Sequence, residues 1–207
     1  MIQTMDKAIK ELHPLIRQME WENPSVYATW LSQIHHIVKT SVPYLGLTVY
    51  HSVNYPDFQK RCYEHIREEL NHEKLIEADL KNLGIPMSRE LPSTMLIYQP
   101  QHYQITMKNP LNFLGYIFFL ELLAPAYCPE IMERVPNKKA ISFLKLHGNE
   151  DEGHIKSAQQ VLATLPTEIQ QMVLSNFHMT QIAYREMLQE ILIASRCQIE
   201  APHKAAA

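Results

Sequence analysis

Hydrophobic residues recur along this chain at intervals of three and four, the spacing of amphipathic helices, and prolines or capping residues separate the periodic stretches. The pattern predicts helical segments at residues 4–19, 23–53, 55–86, 109–125, 137–166 and 167–195. Strand-like alternation is weak except near residues 94–106. We therefore predict an all-α fold, a single-domain bundle of about seven helices over residues 1–200, followed by a flexible tail at residues 201–207.

Individual residues mark several of the predicted helix boundaries. Asn23 followed by Pro24 is a typical helix start, because the Asn side chain caps the first turn and proline tolerates the first helical position. Pro43 should kink or split the second segment, and Pro125 should end the fourth. Gly84 should end the long third segment as a C-terminal cap.

Acidic and imidazole side chains occupy helix positions where hydrophobic residues are expected. In the segment at residues 137–166, His147, Asp151 and His154 fall in the middle of the apolar stripe, because offsets of four and seven return to one side of a helix. In the hydrophobic stretch "FFLELL", Glu121 has large apolar neighbours on both sides. These side chains are therefore predicted to point into the core.

The third segment shows the same feature. His65, Glu69 and His72 project onto the stripe that its apolar residues define, and Glu68 lies at the margin of that stripe. An isolated buried carboxylate or imidazole is costly unless it is neutralised, paired or bound to a metal. The nearby basic residues are predicted to point mainly outward, so a salt-bridge network would lack its cations; they are Arg67, Lys74, Lys145 and Lys156.

A metal centre would supply the missing positive charge. The predicted ligands are Glu69, His72, Glu121, His147, Asp151 and His154. Three carboxylates roughly balance two divalent ions, and oxygen and imidazole ligands without thiolate suit iron or manganese better than structural zinc. Carboxylates combined with a Glu-x-x-His spacing in a helical bundle are a known arrangement for di-iron chemistry.

Composition narrows the remaining classes. The 207 residues carry a formal charge of −3, so neither nucleic acid nor an acidic membrane surface is an expected partner. Three scattered cysteines indicate no disulfide framework and favour a cytoplasmic protein. The most apolar run, residues 111–127, is short for a membrane span and contains a glutamate, so we expect a core helix. Only five glycines occur, and no phosphate-binding loop or dinucleotide fingerprint is present.

Five stretches of the chain resemble the haem-oxygenase-like di-iron oxidases and oxygenases, the iron-containing redox enzyme family. They are "HPLIRQM", "QIHHIVKTSVPYL", "EELNHEKLIEADLKNLG", "LGYIFFLE" and, most specifically, "HGNEDEGH". The resemblance implies a helical bundle related to haem oxygenase, two iron ions, dioxygen as co-substrate and a small organic substrate. It also implies oxidative C–C cleavage, decarboxylation or N-oxygenation, and a homodimer.

Several alternatives remain open at this stage. Many family members carry Glu at the position of His65, which leaves Glu69 or Glu68 as the carboxylate here. His36 and His65 are candidates for a catalytic role, and His35 or His36 could instead be an axial haem ligand. The centre could also hold a single iron or manganese ion. Other readings are a haem-binding or haem-degrading protein, a metal-independent relative of thiaminase II or pyrroloquinoline-quinone synthase, and a non-enzymatic partner-binding protein.

Overall fold

A computed structural model describes residues 1–149 and 152–200, and for residues 149, 152–157 and 196–200 it describes the backbone alone. The α-helices in these ranges are α1 (Ile2–Lys10), α2 (His13–Gln18), α3 (Pro24–Val38), α4 (Ser41–His51), α5 (Pro56–Glu69), α6 (His72–Leu83), α7 (Pro92–Tyr103), α8 (Phe113–Arg134), α9 (Ser142–Asn149), α10 (Glu152–Thr164) and α11 (Thr167–Glu200). A π-helical turn, Gln104–Lys108, and a 3-10 turn, Pro110–Asn112, connect α7 to α8. No strand occurs in the described ranges, which confirms the all-α prediction.

Helix α8 lies at the centre of the bundle and packs against α11 and α9, with further contacts to α1 and α10. Its side chains are buried over most of its first half, where Phe113, Phe118 and Phe119 are at most 1% exposed. The predicted end at Pro125 is wrong, because α8 continues to Arg134. Pro125 and Pro129 both lie on the exposed side of the helix, so their rings do not disturb the packed face.

The described chain contains one helical stretch, Pro110–Arg134, that is long and apolar enough to cross a membrane, with a mean hydropathy of 1.5 in its most apolar window. In this structure 67% of that window is buried inside the protein. A core helix of a soluble bundle meets the same criterion, so the length and composition of this helix are weak evidence for a membrane span.

The second predicted segment divides, as expected, into two helices. Asn23 accepts a hydrogen bond from the backbone of Ser25, which confirms the predicted cap of α3. α3 ends at Val38 and α4 begins at Ser41. Pro43 therefore lies in the first turn of α4, where its missing N–H costs no helical hydrogen bond.

The third predicted segment is not one helix. α5 ends at Glu69, and α6 begins at His72 after Asn71 adopts a left-handed backbone conformation with φ of 72°. Asparagine is one of the few non-glycine residues that tolerate this conformation. Gly84 ends α6, also with positive φ, as predicted.

The region at residues 94–106, whose alternation was strand-like, is helical. In α7 the buried residues Ser93, Thr94, Ile97 and Gln101 follow helical spacing. This face packs on α11, where Gln101 and Asn176 exchange hydrogen bonds between their side-chain amides. Buried polar residues such as Gln101 explain why the hydrophobic pattern of this segment was weak.

Candidate metal centre

Glu69 and His72 are placed by the break between α5 and α6. Glu69 is the last residue of α5 and His72 is the first of α6, so the pair spans a helix junction rather than one helical turn. The two side chains nevertheless meet, since His72 Nδ1 lies 3.7 Å from Glu69 Oε2. The side chain of His72 is 11% exposed, and that of Glu69 is 15% exposed.

His65 and Glu121 complete a cluster with this pair. His65, one turn before Glu69 on α5, has its Nε2 atom 3.3 Å from Glu69 Oε1 and 3.6 Å from Glu121 Oε1. Glu121 comes from α8, and its side chain is 13% exposed. The cluster therefore joins two carboxylates and two imidazoles from α5, α6 and α8 within the buried part of the bundle.

Arg61 is a member of this cluster that the sequence interpretation missed. Its side chain is only 6% exposed, and its Nη2 atom donates to Glu121 Oε1 at 2.9 Å. The expectation that the cluster lacks a basic residue is therefore wrong. The sequence held part of the signal, because Arg61, His65 and Glu69 are spaced four apart and so share one face of α5, but this spacing does not give the contact with Glu121.

Arg61 also fixes the tautomer of His65. The Nη1 atom of Arg61 lies 3.3 Å from His65 Nδ1, and a guanidinium can only donate. In the neutral form of His65, Nδ1 is therefore the acceptor, and the ring proton is on Nε2, where it faces Glu69 and Glu121. Among the described contacts, Arg61 thus balances Glu121, one of the two carboxylates of the cluster.

Two opposing effects set the protonation of Glu69. Burial raises the pKa of its carboxyl, but the hydrogen bond from His65 and the electrostatic effects of His65, His147 and His72 outweigh burial and lower the pKa to about 2. Glu69 is therefore anionic at neutral pH. An anionic carboxylate is the form that binds a metal ion.

His147 reaches the cluster from α9. Its ring contacts the ring of His72 edge to face, with centroids 4.9 Å apart, and it also lies against Phe143 at 4.3 Å. Asp79 of α6 holds the start of α9 in place, since its carboxylate accepts hydrogen bonds from the backbone N–H groups of Ser142 and Phe143 at 3.0 and 2.9 Å. The helix carrying His147 is thus capped by a residue of the helix carrying His72.

The remaining predicted residues are placed as follows. Asp151 lies outside the described residues, and the structure describes the backbone of His154 but not its side chain. Glu68, the alternative to Glu69, is exposed. The sequence motif on α9 and α10 is therefore represented in the described geometry by His147 alone.

His35 and His36 belong to a different part of the bundle. His35 Nε2 lies 3.1 Å from Glu77, and His36 is close to the carbonyl of Ser88 and to Glu90. Burial is the largest influence on His36 and lowers the pKa of its ring. Among the described contacts, none joins either histidine to the cluster around Glu69.

The described side chains match a metal ion in chemistry. Glu121 Oε2 is buried and has no hydrogen-bond partner in the described part of the chain, whereas Oε1 of the same carboxylate accepts a hydrogen bond from Arg61. A buried carboxylate oxygen of this kind is a suitable ligand for a hard cation. Within the described ranges, however, no three His, Cys, Asp or Glu side chains are grouped so that they could hold one ion.

Two cavities flank the cluster. A polar surface cavity of about 300 Å³ lies between α5 and α10 and reaches Arg61 from the solvent side. An apolar cavity of about 80 Å³ lies between α3, α8 and α11 and includes His147 in its wall. The cluster therefore has a polar surface cavity beside Arg61 and an apolar cavity beside His147.

The protein is an all-α helical bundle with carboxylates and imidazoles from several helices in its core, an arrangement from which metal centres can be built. The chain belongs to the family described as "Iron-containing redox enzyme", which it matches over residues 28–185. This match confirms the family resemblance read from the sequence. A comparison with curated proteins found no significant match.

Solved structures agree with the fold. A domain of unknown function with a haem oxygenase-like fold from Shewanella denitrificans OS217 superposes with a TM-score of 0.81 at 18% identity, covering 100% of this chain and 95% of that one. A CADD-like protein of unknown function from Nostoc punctiforme PCC 73102 gives 0.68 at 14% identity, covering 91% and 96%. A TenA homologue from Pseudomonas syringae pv. tomato DC3000 gives 0.62 at 13% identity, covering 90% and 91%. At these identities the likeness establishes the haem-oxygenase-like fold alone.

Proposed function

We propose that this protein is a non-haem iron oxidase or oxygenase that uses dioxygen to oxidise a small organic substrate, by oxidative C–C cleavage, decarboxylation or N-oxygenation. The observation that carries the proposal is the meeting of Glu69 and Glu121, from two helices, around His65 in a buried cluster. Membership of the iron-containing redox family supports iron as the metal.

The proposed ligands of one or two iron ions are Glu69, His72, Glu121, His147, Asp151 and His154. Bound iron would supply the redox chemistry with dioxygen. Glu69 would bind as an anion, and Glu121 would offer the oxygen that does not accept from Arg61. Arg61 would hold Glu121 in place through the other oxygen, as residues behind a ligand commonly do.

His65 has a separate proposed role. Its Nε2 atom lies 3.3 Å from Glu69 and 3.6 Å from Glu121, so its N–H can donate a hydrogen bond to either carboxylate and orient it. His36, the other candidate for a catalytic role, has its described partners elsewhere. Of the two histidines, His65 is therefore the better placed for a catalytic role at this centre.

Metal analysis of single-carboxylate variants tests the proposal. Glu69→Gln and Glu121→Gln keep the side-chain size but remove an anionic ligand, so both should lower the iron content and iron-dependent oxygen consumption at least tenfold, in line with the loss of about 1.4 kcal/mol or more of binding free energy. Glu68→Gln is the matched control, because Glu68 is exposed beside Glu69. Iron content that is unchanged in both variants would exclude this centre.

An optical spectrum of the purified protein separates the proposal from the alternative based on haem. Iron without a Soret band agrees with a carboxylate and imidazole centre. A Soret band that disappears in His35→Ala or His36→Ala would favour a haem protein instead. Activity that persists after all metal is removed would favour the metal-independent reading.

A further inference from the structure

An apolar cavity lies beside His147 and has no role in the function proposed above. It is enclosed by α3, α8 and α11, and its wall includes Ile34, Leu123 and Leu188. Its volume of about 80 Å³ exceeds the roughly 10–15 Å³ that one water molecule requires, so it has room for a group of several atoms.

The aromatic residues in the cavity wall have polar groups, but these are already satisfied by protein. Trp21 Nε1 donates to the carbonyl of Ile16 at 2.9 Å, and Trp30 Nε1 donates to the hydroxyl of Tyr184 at 3.1 Å. The hydroxyl of Tyr127 donates to the carbonyl of Ile9 at 2.8 Å. Since the donors of Trp21, Trp30 and Tyr127 are already engaged, the part of the wall away from Tyr184 and His147 presents carbon to an occupant and gives a polar ligand little compensation for lost hydration.

His147 connects the cavity to the cluster. Its ring is part of the cavity wall, and the same ring packs against His72, whose own side chain lies 3.7 Å from Glu69. Leu120, another wall residue, directly precedes Glu121 on α8. A molecule in the cavity therefore has one end next to the candidate centre and the remainder among hydrophobic side chains.

We propose that this cavity binds a hydrocarbon portion of the substrate and directs the adjoining group toward His147; the assignment to substrate rests on the function proposed above. The substrate would then be an amphiphile with an uncharged alkyl part, and not a wholly polar molecule. Burial of that part would supply binding free energy of about 25 cal/mol for each Å² of apolar surface removed from water.

Fluorescence offers a direct test, because the chain has two tryptophans and both line this cavity. The probe is a bromine-terminated octanol, whose bromine quenches tryptophan emission on contact. In the metal-free full-length protein it should quench the emission saturably. Bromine-terminated triethylene glycol, a chain of similar length with ether oxygens, should quench at least tenfold more weakly.

Two alanines of α8 provide a matched pair of variants. Ala124 lines the cavity, whereas Ala126 is exposed two residues further along. Ala124→Leu should fill part of the cavity and weaken the binding of bromine-terminated octanol at least tenfold, and Ala126→Leu should leave it unchanged. If Ala124→Leu does not fold, Val38→Phe obstructs the same cavity from α3.

The outcomes separate this inference from the proposed function. Linear, unsaturable quenching, or equal binding in Ala124→Leu and wild type, overturns the hydrocarbon site even if the protein takes up iron and consumes oxygen. Saturable quenching that Ala124→Leu removes supports the site. If that protein also takes up no iron, the function proposed above fails, and the assignment of the bound chain to a substrate fails with it.

Discussion

Arg61 sets the electrostatic balance of the candidate centre at the scale of single residues. It is a buried guanidinium hydrogen-bonded to Glu121 and close to His65, so it gives the metal-free protein a partner for one of its two clustered carboxylates. Buried charges persist only when they are paired and hydrogen-bonded. In the metal-free protein, the positive charge of Arg61 therefore balances Glu121, as a metal ion would.

Removal of Arg61 should destabilise the metal-free protein. Arg61→Leu leaves Glu121 buried without its guanidinium, and loss of one partner of a buried ion pair typically costs roughly 3–5 kcal/mol of unfolding free energy. Urea denaturation of the metal-free protein measures this change. We expect the loss to be smaller in the presence of Fe²⁺, because a bound cation would again balance Glu121.

Two further variants test the role of Arg61: one at another arginine of the same helix, and one that removes Arg61 and Glu121 together. Arg67→Leu changes an exposed arginine of α5 and should alter the unfolding free energy by less than about 0.5 kcal/mol. The double variant Arg61→Leu/Glu121→Leu should be more stable than Arg61→Leu alone, since it removes the unbalanced carboxylate as well. A double variant that is less stable than the single one would contradict the ion-pair account.

At the scale of helices, the position of α9 depends on a cap supplied by another helix. Asp79 is fully buried on α6, and its carboxylate accepts from the backbone of Ser142 and Phe143. Helix starts leave N–H groups without intrahelical partners, and a buried start requires an acceptor. The contact fixes the helix that brings His147 to His72.

Asp79→Ala should therefore affect both stability and the centre. Loss of a cap costs about 0.5–2 kcal/mol, and the buried N–H groups place this case near the upper end. We also expect weaker Fe²⁺ binding, measured by titration, because α9 would lose its anchor to α6. Asp57→Ala, at an exposed aspartate in the first turn of α5, is the control; it should leave Fe²⁺ binding unchanged and cost no more than about 0.3–1 kcal/mol, the contribution of a carboxylate at a helix start. Unaltered stability in Asp79→Ala would show that the cap is dispensable.

Helices α8 and α11 approach so closely that only glycine fits at position 115. A Cβ atom there would lie 2.6 Å from the backbone nitrogen of Phe177 and closer still to the carbonyl oxygen of Val173. Backbone atoms cannot move aside as a side chain can, so Gly115→Ala should cost about 1–3 kcal/mol or more of unfolding free energy.

Gly46→Ala provides the opposite expectation for the same chemical change. Gly46 lies inside α4, and no atom is within 4 Å of the position its Cβ would occupy. Replacing glycine by alanine in a helix interior should stabilise by about 0.5–1 kcal/mol. Chemical denaturation of both variants would measure the pair, and equal effects in the same direction would contradict the packing argument.

The sequence predicted the helices better than the joints between them. The caps at Asn23 and Gly84 use residues with strong positional preferences, so they were visible in advance. The break at Asn71 was not, because a single asparagine without a following glycine or proline does not by itself end a helix, and its left-handed conformation depends on how α5 and α6 pack against the rest of the bundle. Pro125 gave the opposite error, because a helix end was predicted where the helix continues. Its ring lies on the exposed side of α8, while the opposite face of the helix packs in the core.

At the scale of the whole molecule, most residues of the candidate site were predicted from one sequence feature, the presence of acidic and imidazole side chains at core positions. Polar residues at core positions identified Glu69, His72, Glu121 and His147, and these side chains lie in or beside one cluster although they come from four helices. The partner of Glu121 could not be obtained in this way. Helical periodicity gives the face on which Arg61 lies, but the distance from α5 to α8 is a property of the packed bundle.

Fe²⁺ should stabilise the whole bundle if the centre binds it. A ligand that binds only the folded state adds about 2.7 kcal/mol to the unfolding free energy when its concentration is 100 times its dissociation constant. We expect the urea midpoint of the wild-type protein to rise on anaerobic addition of Fe²⁺. The same rise should be lost or strongly reduced in Asp151→Asn and His154→Ala, whose side chains the structure does not describe.

The metal-free forms of these two variants distinguish a ligand from a structural residue. A ligand should leave the metal-free midpoint near that of the wild type or raise it, because clustered carboxylates and imidazoles without a cation burden the fold. A hydrogen-bonded core residue should instead lower it by roughly 1–3 kcal/mol and leave the Fe²⁺ effect intact. Glu152→Gln is the control, since its helical position points away from the apolar stripe. A full Fe²⁺ effect in His154→Ala would restrict the centre to residues from the other helices and remove the most specific part of the sequence motif from it.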